Sequence, residues 1–140
     1  MPIIRTFHIF AKEIEIEVYV PLGYIPRGLP VDTTGVQFES KRVLISETML
    51  KHAKAAYFES DLQELGGGTV ALELFDYVEN RVITSISLSA TTKRQRSGNV
   101  LPYLTAGNEV GVRFNVTSAG ASGTTGGGCS PVLVLVLGVS

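Results

Sequence analysis

The stretch PVLVLVLGVS at residues 131–140 decides the fold, because six large apolar residues follow its proline without a polar interruption. A strand that packs one face on a core and shows the other to water alternates apolar and polar residues. This pattern therefore predicts a strand whose two faces are both buried. Alternation does not say which face lies in the core. The two faces hold Val132, Val134 and Val136, and Leu133, Leu135 and Leu137.

The second apolar face needs a cover. In a two-layer sandwich each strand has one inner face, and covering the other requires a third layer. A fully buried Val or Leu contributes about 1.5–3 kcal/mol, so exposing such a face is costly. We expect a second copy of the chain to cover it, with residues 46–65 of the same chain as the alternative. The strand is thus a predicted oligomer interface as well as a core element.

Short alternating segments fill most of the remaining chain. Residues 109–117, EVGVRFNVT, place four apolar side chains on one face, and residues 69–77 and 81–90 read as a hairpin that groups Val82, Thr84, Ile86 and Leu88. Near the start, Ile14, Ile16, Val18 and Val20 alternate with Glu13, Glu15, Glu17 and Tyr19. Regularly spaced strands of this kind indicate a sandwich or barrel. We predict one all-β domain over residues 1–140, a jelly-roll-like antiparallel β-sandwich of about eight strands with at most one short helix.

Four segments are less regular. Residues 46–65 fit either helix or strand, and we favour one helical turn capped by Ser46 followed by a strand through KAAYFESDL. VLPYL is broken by Pro102 and is expected to be an edge strand or a strand end. TTKRQRSGN is interpreted as a polar loop, and SAGASGTTGGGCS as a flexible loop.

The C-terminal third resembles the jelly rolls of the tumour-necrosis-factor and complement-C1q superfamily. LTAGNEVGVRF at residues 104–114 is similar to the turn and long strand of that superfamily, with Asn108 where an acidic residue is usual, and PVLVLVLGV is similar to its apolar last strand. In that superfamily the last strand sits centrally in the inner sheet and the inner sheets pack around a threefold axis. The resemblance therefore implies a homotrimer, and it carries over no binding residues.

Chemistry-bearing clusters are not evident, and we predict no enzyme, no catalytic residues, no cofactor and no metal. The two histidines, His8 and His52, are far apart in sequence, and no metal-ligand spacing of Cys and His occurs. The single cysteine, Cys129, has no His, Lys or Arg near it in sequence and is interpreted as an ordinary thiol. A structural role is favoured over a reaction.

One basic cluster could act on a partner. Lys93, Arg94 and Arg96 lie within four residues in TTKRQRS, which suggests either a solubilising loop or a contact with a polyanion or cell-surface ligand. The formal net charge of -1 gives the whole chain no general attraction to nucleic acid or anionic lipid. Any polyanion contact would have to be local.

These observations favour a non-enzymatic, self-assembling structural or surface-attachment protein, such as a virion component or a surface-filament subunit. The alternative is a trimeric module that binds a polyanion or saccharide through its loops. The start of the sequence shows no secretory signal, and the apolar run is far shorter than the roughly 20 residues of a membrane helix, so no membrane insertion is expected. Localisation is left open between a virion and the cytoplasm.

Overall fold

A computed structural model describes residues 3–10 and 13–139 of the chain, and the side chains of residues 14–138. The chain is an all-β, jelly-roll-like sandwich, as the sequence predicts. Its strands, in chain order, are β1 Ile3–Phe10, β2 Glu13–Pro21, β3 Leu29–Pro30, β4 Gly35–Glu39, β5 Val43–Leu44, β6 Ala53–Leu62, β7 Glu64–Leu65, β8 Thr69–Asp76, β9 Arg81–Leu88, β10 Thr92–Asn99, β11 Glu109–Ser118, β12 Thr125–Gly127 and β13 Val132–Val139. One helix, α1, spans Glu47–Lys51, and a 3-10 turn spans Leu101–Tyr103.

Two antiparallel sheets form the sandwich. The first has the order β1-β2-β13-β6-β10, and the second has the order β4-β11-β8-β9 with β5 added beside β11. From β2 onward, every connection between long strands crosses to the other sheet except the one between β8 and β9. The orders β2-β13-β6-β10 and β4-β11-β8-β9 are the crossing pattern of a jelly roll, although the segment that forms β10 was predicted to be a loop.

The described residues form thirteen strands rather than eight. One addition arises because the N-terminal segment is a hairpin, in which β1 pairs antiparallel with β2. Most of the others are short strands in segments rich in glycine and proline, where β3, β12 and β7 form a small third sheet. These segments hold few apolar residues to alternate, so periodicity does not detect them.

The core lies between the two large sheets. β8 contributes Val70, Leu72 and Leu74, and β11 contributes the four predicted inward residues, all of them buried: Val110, Val112, Phe114 and Val116. From the opposite sheet, Phe58 of β6 and Leu133 of β13 are fully buried in the same cluster. Side chains from both inner faces therefore build one hydrophobic core.

The ambiguous segment folds as the sequence favours. The side chain of Ser46 accepts a hydrogen bond from the backbone N–H of Met49 at 3.1 Å and caps α1, and β6 follows directly. Met49 and Leu50 are partly buried and pack against the core cluster. The helix therefore packs at one end of the core, on the side to which the leucines of β13 point. It does not form a third layer over the valines of β13.

Three local predictions are wrong. TTKRQRSGN is the strand β10, paired with β6 at the sheet edge, where one side of the strand meets solvent and apolar residues are not needed. VLPYL contains the 3-10 turn, with Pro102 near its start. The prediction that Val82 shares a face with Ile86 and Leu88 is also wrong. The register of the β8–β9 ladder shifts between Leu74 and Phe75, so Val82 pairs with Phe75 and is 42% exposed.

The predicted flexible loop at residues 118–130 is also wrong, because it holds β12 and is partly buried. Gly126, Gly127, Gly128 and Cys129 are all buried. Gly127 has a φ of +126°, and an added Cβ would collide with the carbonyl oxygen of Pro26. Glycine is needed here for close backbone approach rather than for mobility.

Candidate functional site: the outer face of the five-stranded sheet

The last strand lies in the middle of the first sheet, between β2 and β6. Leu133 and Leu135 are buried in the core cluster and Leu137 is partly buried against it. Because side chains alternate along a strand, Val132, Val134 and Val136 point to the opposite, outer side. The structure thus assigns the leucines to the core and the valines to the outer face, which alternation alone left open.

Two tyrosines flank the central valine. Val134 pairs with Tyr19 of β2 on one side and with Tyr57 of β6 on the other. Directly paired residues of an antiparallel ladder share a face, so both rings stand beside Val134. We call the surface made by Val132, Val134, Val136, Tyr19 and Tyr57 the valine face.

An arginine from the sheet edge lies across this face. Arg96 of β10 donates from Nε to Glu59 Oε1 at 3.1 Å, and its terminal nitrogens reach Glu17 at 3.3 and 3.4 Å. One of them also lies 3.4 Å from the hydroxyl of Tyr19, and its guanidinium carbon is 5.1 Å from the centre of the Tyr57 ring. The guanidinium therefore reaches from β6 to β2, across β13. Val134, which lies between the two tyrosines, is 0% exposed.

This arrangement answers part of the question raised by the sequence. Arg96, Tyr19 and Tyr57 of the same chain lie beside the valines of β13. Residues 46–65 contribute Tyr57 through β6, but they form no separate layer on this face. Val132 and Val136 are only partly buried. The valine face therefore keeps apolar area at Val132 and Val136 that the described residues leave partly exposed.

Arg94, two residues earlier, also pairs with Glu59. Its Nε donates to Glu59 Oε2 at 2.9 Å, and a terminal nitrogen donates to the carbonyl oxygen of Ser130 at 3.1 Å. Asp61 lies 4.0 Å from Arg94 and accepts a hydrogen bond from the backbone N–H of Ser130 at 2.6 Å. Glu59, which is 8% exposed, is thereby held between two guanidinium groups.

The electrostatics follow from this packing. Burial raises the pKa of Tyr19, and the charges of Glu59 and Glu17 raise it further. Burial lowers the pKa of Arg96, but its hydrogen bonds and attraction to Glu17 and Glu59 outweigh that effect and raise the pKa above the usual value. Both groups hold their protons near neutral pH, so Arg96 is a fixed positive charge.

The basic cluster is therefore not a free loop tip. Arg94 and Arg96 are paired with carboxylates, and a polyanion would have to compete with Glu17, Glu59 and Asp61 for them. Of the three basic residues, Lys93 alone is exposed outside these ion pairs. It lies beside a groove that also contains Asp61 and Gln63. Sequence reasoning missed these pairs because Glu17 and Arg96 are 79 residues apart.

A groove adjoins the valine face at the level of Val136. Its volume is about 550 Å³, which is within the range of about 300–1,000 Å³ that is typical of ligand clefts. Its walls combine both charges with an aromatic ring and an apolar floor: Glu15, Glu17, Lys54, Tyr57, Arg96 and Val136. The Lys54 side chain lies against Gly138, where any Cβ would collide with it. Glu13, predicted on this side of β2, has a side chain outside the described residues.

The cysteine and the described histidine do not belong to the valine face. Cys129 is buried at 0% exposure, and burial, with the charge of Asp61, raises the pKa of its thiol to about 12. His52 is exposed at the end of α1, and the side chain of His8 lies outside the described residues. Among the described residues, no three His, Cys, Asp or Glu side chains gather as a metal site.

No helix within residues 3–10 and 13–139 is both long and apolar enough to cross a bilayer. No protein-family model, curated protein or solved structure matches this chain.

Proposed function

We propose that this chain is a non-enzymatic, self-assembling structural protein whose copies associate through the valine face. The observation that carries the proposal is the central strand β13, which is apolar on both sides and leaves Val132 and Val136 only partly covered. Tyr19, Tyr57 and Arg96 surround these valines, and aromatic residues and arginine are the types enriched in protein interfaces. The partner is a second copy of the same chain.

The size of the face supports this proposal. Five strands spaced about 4.8 Å apart and a β13 of eight residues give a footprint of about 24 Å by 27 Å, or about 650 Å². A rough surface has more accessible area than its flat footprint. Stable interfaces bury about 800 Å² per partner. The outer side of the whole five-stranded sheet, with the valine face at its centre, is thus close to the size that one specific interface needs.

The outer side of the second sheet serves as a contrast. Its paired positions include Ser85, Ser87, Ala71 and Asn115, which are small or polar. That side also carries Val36 and Val82, which are 38% and 42% exposed, but they lie on the two edge strands β4 and β9 and form no row. We therefore propose face-to-face assembly on the valine face only.

The resemblance to the tumour-necrosis-factor and complement-C1q superfamily favours three copies around an axis. A particle component such as a virion protein, or a subunit of a surface filament, is the role we propose for such an assembly. Polyanion binding through Arg94 and Arg96 gains no support from the geometry, because both guanidinium groups are already paired.

Sedimentation and light scattering of the protein at micromolar concentration test the proposal. We expect an oligomer, and we expect Val136→Lys to yield a folded species of lower mass, because a symmetric contact brings the added charges together in several copies. Val36→Lys is the matched control, since Val36 is 38% exposed on the other sheet. Leu135→Lys should instead unfold the subunit, because it places a charge in the core. A monomeric unmodified protein would overturn the proposal.

A further inference from the structure

We infer that the free edge of β9 is a second assembly contact, at which β9 of one copy pairs antiparallel with β9 of a second copy. This contact lies on the second sheet and is made by backbone groups, whereas the valine face is made by side chains on the first sheet. Together the two contacts join the oligomers of the proposed function into a larger particle or filament. That larger assembly rests on the proposed function, and the edge contact itself does not.

The edge of β9 has backbone groups to offer. β9 ends its sheet, and within the described part of the chain it pairs with β8 alone. Residues 84–88 stay in register with residues 70–74, since the one shift of this ladder lies nearer the start of β9. Every second residue of an antiparallel strand turns its N–H and C=O groups away from its neighbour. No described loop or turn forms a backbone hydrogen bond with β9, so these groups are available to another strand.

Of the outer edge strands whose side chains are described, β4 and β10 carry protection that β9 lacks. β10 is charged at Lys93, Arg94 and Arg96, and its ladder with β6 shifts register twice. The ladder of β4 with β11 shifts near the middle of β4. Charges and bulges are devices that keep sheet edges from pairing with other chains. Residues 82–88 of β9, VITSISL, contain neither a charge nor a proline.

The edge is complementary to itself, which identifies a second copy as its partner. A twofold pairing centred on Ile86 places Ser85 of each copy opposite Ser87 of the other, on the exposed outer side. No like charges meet in this pairing, although a symmetric contact would repeat any such conflict. Ile86 and Leu88 are only 4% and 7% exposed, so packing already holds the strand extended. A strand that is ordered before it binds loses less entropy on association.

The neighbouring strand β10 limits the strength of this contact. It follows β9 after residues 89–91 and forms the edge of the first sheet on the same side of the sandwich. Lys93 is exposed there, so joining two copies at β9 brings two ammonium groups nearer to each other. Salt screens repulsion between exposed charges. Pairing at β9 should therefore strengthen as salt rises, whereas a contact held by ion pairs would weaken.

Light scattering at rising protein concentration tests the inference. The unmodified protein should form a discrete oligomer at micromolar concentration and grow beyond it toward millimolar concentration. Ser85→Lys should raise the concentration at which growth begins by at least about tenfold, because it adds like charges at the twofold contact. Thr117→Lys is the control and should grow like the unmodified protein. Thr117 is exposed on the outer side of the same sheet, but on β11, which lies between β4 and β8.

Disulfide trapping tests the register directly. A mixture of Ser85→Cys and Ser87→Cys proteins should form a crosslinked dimer under mild oxidation, because directly opposed residues bring their Cβ atoms close enough. Each variant alone should crosslink far less, since identical residues lie diagonally across this pairing. The natural Cys129 is buried and does not compete. A mixture that crosslinks no better than the separate variants would overturn the inference, even if Ser85→Lys does not fold.

The two assembly contacts fail in different ways. A discrete oligomer that never grows would overturn the inference and leave the proposed function standing, as would growth of Ser85→Lys like that of the unmodified protein. Equal loss of growth in Thr117→Lys would also overturn the inference, because added charge alone would then explain the effect. Dimers that Ser85→Lys abolishes and Val136→Lys leaves intact would support the edge contact and overturn the proposed function.

Discussion

Asn108 donates a hydrogen bond from Nδ2 to Oδ2 of Asp76 at 2.9 Å, and both residues are buried. Asp76 ends β8, and the other oxygen of its carboxylate accepts the backbone N–H groups of Val78 and Glu79, each at 2.9 Å. An amide is required here because it donates to Asp76, whereas a second carboxylate would repel it.

Replacing the donor by an acid should therefore be costly. We expect Asn108→Asp to lower the free energy of unfolding by about 2–4 kcal/mol at pH 7, because two buried carboxylates would face each other without the hydrogen bond. Asn115→Asp is the matched control, since Asn115 also donates to a carboxylate, that of Glu73 at 3.1 Å, but on an outer sheet face. Urea denaturation of both variants measures the difference. Equal losses would contradict a special role for the buried pair.

The same carboxylate gives stability a pH dependence. Burial raises the pKa of Asp76, but hydrogen bonds from Asn108 and from two backbone N–H groups outweigh burial and hold the pKa below the ordinary value of 3.8. A lowered pKa in the folded state means that the ionised group stabilises the fold above pH 3.8 and loses that contribution as the pH falls through the folded-state pKa.

Urea denaturation between pH 2 and 6 checks this dependence. We expect the stability difference between the unmodified protein and Asp76→Asn to be larger at about pH 6 than at about pH 2, since only the ionised carboxylate benefits from its donors. A difference that does not vary with pH would mean that Asp76 has the same pKa in the folded and unfolded chain.

Gly127 should tolerate no side chain. Its φ of +126° is rare for other residues, and a Cβ would collide with the carbonyl oxygen of Pro26. We expect Gly127→Ala to lower the free energy of unfolding by about 3 kcal/mol or more through combined strain and overpacking. Gly98→Ala is the control, because nothing lies within 4 Å of its added Cβ, and it should change stability by less than about 0.5 kcal/mol. Thermal denaturation compares the two variants.

Cys129 should react only when the protein opens. Its burial, together with the charge of Asp61, raises the pKa of the thiol to about 12, so the reactive thiolate is scarce near pH 8. Labelling with a maleimide or a disulfide reagent should follow the rate of unfolding and accelerate with urea. Rapid, complete labelling of the native protein would show that the loop bearing Cys129 opens far more readily than its packing implies.

Alternation predicted much of the fold. Val110, Val112 and Phe114 were expected on one face of a strand, and all three are buried in the core. Ser46 was expected to cap a short helix, and it does. These features depend on residues close in sequence, whose spacing reflects the period of the element that they form.

Features that depend on distant residues were not predicted. β10 lacks apolar residues and is a strand because β6 supplies its hydrogen-bonding partners, including a bond from the backbone N–H of Phe58 to the Ser97 hydroxyl. The bridge from Arg96 to Glu17 depends on the sheet order, which no local pattern encodes. Val82 leaves the predicted face because one register shift in the β8–β9 ladder reverses the alternation.

The position of β13 also bears on how the chain is made. β2 and β6 leave the ribosome well before β13, and in the folded sheet they do not pair with each other, because β13 lies between them. Until β13 emerges, both expose unpaired backbone groups next to apolar side chains, which is the state that chaperones bind and that misassembles most readily. The chain is therefore most prone to aggregate during translation, until β13 inserts between β2 and β6.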